Sequence, residues 1–391
     1  MLLLSWIWQK NHQKHISPKQ SLTSLSRHWT TNSINKSGAN ASLLPLSTSQ
    51  TLSMKAIVFE KIQQLSIQDK PIPTLNDGDV LIRMELCGIC ASDLAALRGD
   101  VSDYAPPVVM GHELAGVIVE SRHSDVKTGE KVTVNPMLSC GVCIHCQNDR
   151  DKYCNMIEGI GHDIDGGYAE YIRMPKHGVD TGKLIQVPST VPPEELLFLE
   201  PLGCCLNAMQ ETIFQNSVAI LGAGPIGLLF AQLTKRAGLT TYVFDPLPHR
   251  RAIAETVGAD ATFDISPDDV AHLHEITHGG VDTVISATTN KTAVIKLAFQ
   301  IARKGAYINF FGLAPEGQEL RINLEEFHYT GHKLMASWAF SRSSLEESRQ
   351  LLLQKVINFK PLLTDQFPIT QGLEAFDNAI AQRGIKTALH P

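Results

Sequence analysis

Four of the chain's eight cysteines fall inside one polar stretch, SCGVCIHCQNDRDKYC, at residues 139–154. They are Cys140, Cys143, Cys146 and Cys154, spaced C-x2-C-x2-C-x7-C. Such a cluster serves disulfides in a secreted chain or thiolate coordination of a metal in an intracellular one. The opening MLLLSWIW is apolar, but its basic residues follow it, the reverse of a secretory signal. The metal reading is therefore preferred. Four thiolates so close in sequence can close a tetrahedron around one Zn2+ and leave no position for water or substrate. The expectation is a structural zinc loop over 139–155, folding a segment that lacks a core of its own.

A second set of donors is scattered. CGICASD carries Cys87, Cys90 and Asp93; GHE carries His112 and Glu113; LEPLGCC carries Glu200, Cys204 and Cys205. One Cys, one His and one carboxylate bind Zn2+ while leaving a fourth position open, the catalytic pattern. Spacing alone does not bring these residues together. Taken singly, Cys87 or Cys90 reads as a small buried hydrophobe, His112 as a turn residue, and Asp93 as a cap for a helix beginning near Leu94.

The third signal is LGAGPIG, which places Gly222, Gly224 and Gly227 in G-x-G-x-x-G between an apolar run and a helical pattern. In that context the glycines let a turn tighten, a pyrophosphate approach the backbone, and the helix pack against its sheet. Asp245 ends the next apolar run, 23 positions after Gly222, where a carboxylate would bind the adenosine ribose. It would also repel a 2′-phosphate, so NAD is expected over NADP. The following Arg250 and Arg251 soften that preference.

These residues need a scaffold, and the chain shows two regimes. From Met54 to about Pro188, short β-rich runs (KAIVFE, DVLIRMELCGI, AGVIVESR, EKVTVNP, AEYIRMP) suggest an antiparallel, barrel-like domain. After about Val191, strands alternate with helices: strands at 217–222, 240–245, 281–288, 306–312 and 333–338, and helices at 225–238, 246–259, 291–305 and 344–356. That alternation predicts a parallel sheet with helices on both faces. FPIT and GLEAFDNAIAQRG, near the end, read as a strand and helix returning to the first domain. ARKG at 302–305 reads as a basic helix C-terminus with a glycine cap. His272, His274 and His278 read as a solvated helix face rather than a metal cluster.

The net charge of −6 and a pI near 6.2 give no polyanion-binding or membrane-surface signature, so neither a nucleic-acid nor a membrane partner is expected. No apolar run reaches the roughly 20 residues of a bilayer span. Residues 1–53 lack Asp and Glu, hold five Lys or Arg, and show no period. They read as a disordered extension, a start codon assigned too early, or a mitochondrial targeting segment. Otherwise the chain is expected in the cytoplasm.

From Met54 onward the chain resembles the zinc-dependent medium-chain dehydrogenase/reductase family, nearest its sorbitol, polyol and threonine dehydrogenase branch. The motifs stand in family order: CGICASD, GHELAGVIVE, the four-cysteine loop, DGGYAEY, EPLGCC, GAGPIG and Asp245. The resemblance implies a GroES-like β-rich catalytic domain at 54–190, a Rossmann domain at 191–339, and a return to the first domain at 340–391. It implies one catalytic and one structural zinc per chain, with Cys90 and His112 as catalytic ligands. Glu113 is the expected third ligand, Glu200 a close or exchanging one, and a later cysteine the alternative. Asp93 would hold the histidine's other nitrogen, Ser92 would begin the proton relay, and Ile226 and Arg250 would contact NAD. Ala95 departs from the family, which often has a relay histidine there. A homodimer or homotetramer is the family habit.

The implied reaction is hydride transfer between NAD and a secondary alcohol: a polyol, sugar alcohol, diol or amino alcohol. An NADPH-dependent carbonyl or sugar-phosphate reductase is the enzyme alternative. A non-catalytic NAD-binding scaffold and a zinc-dependent interaction module are alternatives of other classes. Neither needs Cys90, His112 and Glu113 together with a dinucleotide fold.

Overall fold

KAIVFE lies within a nine-residue strand, Ser53–Lys61, whose middle is buried. It pairs antiparallel with Gln64–Pro71 and briefly with Val108–Val109. These come from a computed structural model, which describes residues 52–391. The expectations for residues 1–53 lie, but for the last two, outside the described residues.

A seven-stranded sheet forms the larger β layer. Its order is Leu184–Val187, Lys131–Val134, Glu113–Ser121, Val80–Gly88, Lys386–His390 and Leu363–Pro368, with Tyr171–Met174 also paired to Val80–Gly88. The register sets Gly88 opposite Glu113, and Ala388 opposite Gly88. The last strand of the chain thus lies beside the strand that leads to Cys90. Residues such as Ile82, Met84, Leu114, Ile118 and Tyr168 fill the core of this region.

The second sheet is wholly parallel: Ala261–Phe263, Thr240–Phe244, Ser217–Leu221, Val281–Ser286, Ala302–Phe310 and Lys333–Ala336, in that spatial order. Numbered along the chain this is 3-2-1-4-5-6, the doubly wound Rossmann order. Its first strand, Ser217–Leu221, is buried at every position, because helices cover both faces. The order reverses between Ser217–Leu221 and Val281–Ser286, and the glycine turn at 222–227 leaves the sheet at that switch point, where ligands bind in such folds.

One sequence expectation is corrected. The helix expected to run to residue 305 ends at Ile301, and ARKG opens the strand Ala302–Phe310 instead. Arg303 is the reason. Its guanidinium donates to the carbonyls of Thr277 and Gly280, both at 2.9 Å, and pairs with Asp282 at 3.1 Å. The tertiary contact outweighs a helix-terminal charge preference worth only a few tenths of a kcal/mol to about 1. His272 and His278 are exposed, and His274 Nε2 lies 2.9 Å from the Gln300 carbonyl oxygen. They form no metal-holding group among the described residues. No helix among these residues is long and apolar enough to cross a membrane.

Candidate active site

The strand Val80–Gly88 delivers Cys90 to the N-cap of the helix Ala91–Arg98. Asp93 stands in the first turn, not before the helix as expected, and reaches back to accept the Cys90 backbone N–H at 2.9 Å. Its carboxylate is fully buried and takes two further bonds, from the Tyr168 hydroxyl at 2.6 Å and the Tyr104 hydroxyl at 3.0 Å. Burial, then the Asp93 charge, pushes both phenols well above their usual pKa, so both remain protonated donors. The neighbouring strand Glu113–Ser121 begins opposite Gly88, so antiparallel register sets His112 and Glu113 beside Cys90 despite twenty-odd intervening residues.

The ligand atoms of Cys90, His112 and Glu113 all lie within 4.8 Å of one another. Donors on a tetrahedral zinc stand roughly 3.3–3.8 Å apart, so small side-chain movements fit the ion. The donor set of one S, one N and one O is of the three-ligand catalytic type. His112 Nδ1 is buried without a hydrogen bond; Asp93 Oδ1 lies 3.7 Å away, a charge contact rather than the expected hydrogen bond. Burial alone would lower the pKa of His112, but the charges of Asp93 and then Cys90 hold it well above the usual value.

Glu113 has a partner that no motif signalled. Buried Lys386, from the final strand, forms an ion pair with Glu113 Oε2. Burial opposes the charge on Lys386, yet Glu113 raises its pKa overall. Gly88 makes the room: a Cβ there would sit 2.5 Å from Glu113 Oε2 and 2.7 Å from Lys386 Cε.

Glu200 lies outside the three-residue group. It sits on the helix Leu199–Glu211 and accepts from Cys204 Sγ at 3.2 Å. Burial raises its pKa, while the His112 charge works in the opposite direction. Cys204 and Cys205 are buried, and burial drives both thiols well above the usual range. Cys87 faces the core of the first domain and is likewise raised by burial.

In the four-cysteine lobe, Cys143 and Cys146 sulfurs are 3.5 Å apart, Cys140 and Cys154 3.5 Å, and Cys140 and Cys146 3.9 Å. Sulfurs at 2.3 Å from a tetrahedral zinc would be about 3.8 Å apart, so this cradle fits the ion too. The backbone N–H groups of Val142 and Cys143 hold the Cys140 thiol down at about 6, whereas burial pushes Cys146 up to about 11. The lobe is tied to the helix Arg342–Leu353. Asp149 accepts the N–H groups of Arg342 at 2.8 Å and Ser343 at 3.2 Å, and buried Asp151 pairs with buried Lys183.

The glycine turn follows the strand Ser217–Leu221. Gly222 has φ +103°, open to glycine, and a Cβ on Gly227 would overlap the Gly222 carbonyl oxygen. Gly224 caps the helix Pro225–Arg236, and Ile226 is in its first turn, partly buried against the core. Asp245 accepts the N–H of Ala223 at 2.8 Å and of Leu247 at 2.9 Å, which braces the turn. Arg250 lies over the turn and donates to the Gly384 carbonyl at 2.9 Å; its Nε is buried without a partner.

Two family models match the chain: the alcohol dehydrogenase GroES-like domain over residues 76–187, and zinc-binding dehydrogenase over 225–354. A D-arabitol-phosphate dehydrogenase of Enterococcus avium is 30% identical over 83% of this chain and 94% of that one. The chain belongs to the zinc-dependent alcohol dehydrogenase family. A sorbitol dehydrogenase of Bacillus subtilis strain 168 is 28% identical over 86% of this chain and 97% of its own. A zinc-binding dehydrogenase structure from Sinorhizobium meliloti 1021, bound to NADP, superposes with a TM-score of 0.79. It shares 29% identity and covers 87% of this chain and 100% of that one. As a member of this family the chain is an oxidoreductase acting on CH–OH groups of secondary alcohols, with a GroES-like domain joined to a Rossmann domain.

Sequence reasoning missed Lys386, Gly88, Tyr104, Tyr168 and His162. A usable signal existed for Lys386: a lysine in the short apolar strand KTALH, which is buried at four of five positions. Tyr168 stood inside DGGYAEY without an assigned role. Tyr104 and His162 lie in loops whose spacing says nothing of their partners.

Proposed function

We propose that this dehydrogenase oxidises a polyol, sugar alcohol, diol or amino alcohol with NAD, reversibly, in the cleft where Cys90, His112 and Glu113 converge. That convergence within 4.8 Å carries the reading. Cys90, His112 and Glu113 would hold a catalytic zinc, and Cys140, Cys143, Cys146 and Cys154 a structural one. When bound, the zinc lowers the pKa of the substrate hydroxyl and the nicotinamide takes up the hydride.

The chain's own residues do the rest. Ser92, two residues after Cys90 and partly exposed, would take up the substrate hydroxyl's proton at Oγ as it gives up its own to an adjoining hydroxyl or to water. Asp93 fixes the Cys90 backbone and faces the Nδ1 side of His112, stabilising the ring where it stands. Lys386 offsets the charge of Glu113, so that this carboxylate is not left alone in a buried site. Gly222, Gly224, Ile226 and Gly227 would receive the pyrophosphate at the start of their helix.

Asp245 supports NAD: its buried carboxylate at the glycine turn would repel a 2′-phosphate. The unpartnered Nε of Arg250 supports the second reading, an NADPH-dependent reductase working on a ketone. A panel of polyols, diols, amino alcohols and sugar alcohols assayed with NAD and with NADP decides between them. The first reading expects a kcat/KM at least tenfold higher with NAD and two zinc ions per chain. Equal or better turnover with NADP would establish the second, and absence of zinc at the Cys90 group would defeat both.

A further inference from the structure

Ala95 cannot carry a proton or orient a hydroxyl, yet the serine at the site is not left free. Tyr104, in the loop that follows the helix Ala91–Arg98, places its hydroxyl 3.2 Å from Ser92 Oγ and 3.0 Å from Asp93 Oδ1. Its ring is buried, stacked on His162 at 4.0 Å between centroids and edge-on to Phe59 at 6.2 Å. His162 in turn lies 5.3 Å from His112, ring to ring. Aromatic packing on two sides therefore fixes where the phenol points.

We propose that Tyr104 is a positioning residue that sets Ser92 as a hydrogen-bond acceptor for the substrate hydroxyl. The argument is one of donor counting. Tyr104 has one proton and two oxygen neighbours. A bond to a buried carboxylate is roughly twice as strong as a neutral one, so the proton goes to Asp93. The Ser92 hydroxyl must then be the donor in the remaining contact, giving the chain Ser92 to Tyr104 to Asp93. With its proton committed to Tyr104, Ser92 Oγ turns its lone pairs to its open side. A serine without Tyr104 is free to rotate its proton toward the substrate and lose the acceptor role. This rests on the reading of the site given above, with Ser92 as the proton acceptor.

Tyr104→Phe keeps the ring and its stacking and removes only the oxygen. The expected result is a fall in kcat of about 10- to 100-fold with KM changed less than about threefold. Zinc content should match that of the unmodified protein. The same substitution in a Ser92→Ala background should change kcat by less than about twofold, because Tyr104 acts through Ser92. An equal loss in both backgrounds would mark a merely structural role and overturn the proposal.

A second measurement does not need turnover. The tyrosine Fermi doublet in ultraviolet resonance Raman spectra reports whether a phenol donates, accepts or does both. The Tyr104 contribution, identified by difference against Tyr104→Phe, should move from donor-and-acceptor to donor-only in Ser92→Ala protein. No movement would overturn the proposed polarity. Were the unmodified protein inactive on every alcohol tested, the reading of function would fall while this spectrum still judged the geometry.

Discussion

In the lobe at 140–154, four sulfurs come from one local loop; at the active site, three different donors arrive from a helix cap and from the start of the strand Glu113–Ser121. Both groups can hold zinc, but their surroundings differ. The lobe's sulfurs satisfy one another's geometry, and its anchors, Asp149 and Asp151, stand behind it. At the active site every donor already has an engaged neighbour: Asp93 behind His112 and Cys90, and Lys386 on Glu113. A closed set of like ligands makes a rigid strut. A mixed, incomplete set with paired charges holds a metal that must also serve a substrate.

The sharpest way to break that contrast is Cys90→Ala. We expect kcat/KM to fall by at least about 1,000-fold, the several kcal/mol of charge stabilisation that the metal supplies. One of two zinc ions should disappear from metal analysis while the melting temperature barely moves. A large thermal loss instead would make this group structural as well.

Next in size is Lys386→Met, which leaves Glu113 buried without its partner. Breaking such a pair costs about 3–5 kcal/mol. The loss should appear in denaturant titration of chelator-treated protein and shrink after zinc is restored, since the ion then balances Glu113. Equal losses with and without zinc would show that Glu113 does not reach the metal.

Cys146→Ser tests the other half. It should remove one zinc and cost of order 3 kcal/mol, or about 4 °C in melting temperature for a chain of this size. Turnover per folded molecule should stay within about threefold, measured at a temperature well below the transition. A smaller change is expected of Asp149→Ala, which removes the acceptor of two first-turn N–H groups of the helix Arg342–Leu353, leaves its Ser341 cap in place and touches no sulfur. About 1 kcal/mol should go, with both zinc ions retained.

The smallest effect is a pH dependence of the metal-free lobe. Cys140 is held at about 6 in the folded chain, below the ordinary thiol near 8.5. Between those values the unfolded chain binds the extra proton, so stability rises with pH there. It is fully gained above the unfolded value and lost as pH falls through about 6. Melting curves of chelated protein from pH 6 to 8.5 should show this slope, and Cys140→Ser should flatten it.

Much of the fold was legible because it depends on local pattern. Apolar strands alternating with helices announced the parallel sheet, and the glycine turn followed its strand as LGAGPIG suggested. ARKG misled because Arg303 is held by Thr277, Gly280 and Asp282, which no local propensity encodes. Residue type alone did not separate Glu113 from Glu200; the family resemblance put Glu113 first and Glu200 as a close or exchanging ligand. Strand register opposite Gly88 brought Glu113 to Cys90, and helix placement gave Glu200 to Cys204 instead.

By itself, the sequence determined the chemistry available: which donors exist, and that four of them lie close enough along the chain to meet without help. Whatever had to meet across the chain was decided by tertiary structure. Lys386 reaches Glu113 only because the last strand returns beside Val80–Gly88, and Tyr104 reaches Ser92 only because its loop folds back over the helix that Cys90 caps. The physical reason is that a local cluster is constrained by bond geometry over a few residues. A distant pair forms only when packing and register of the whole sheet offset the entropy of closing the loop between them.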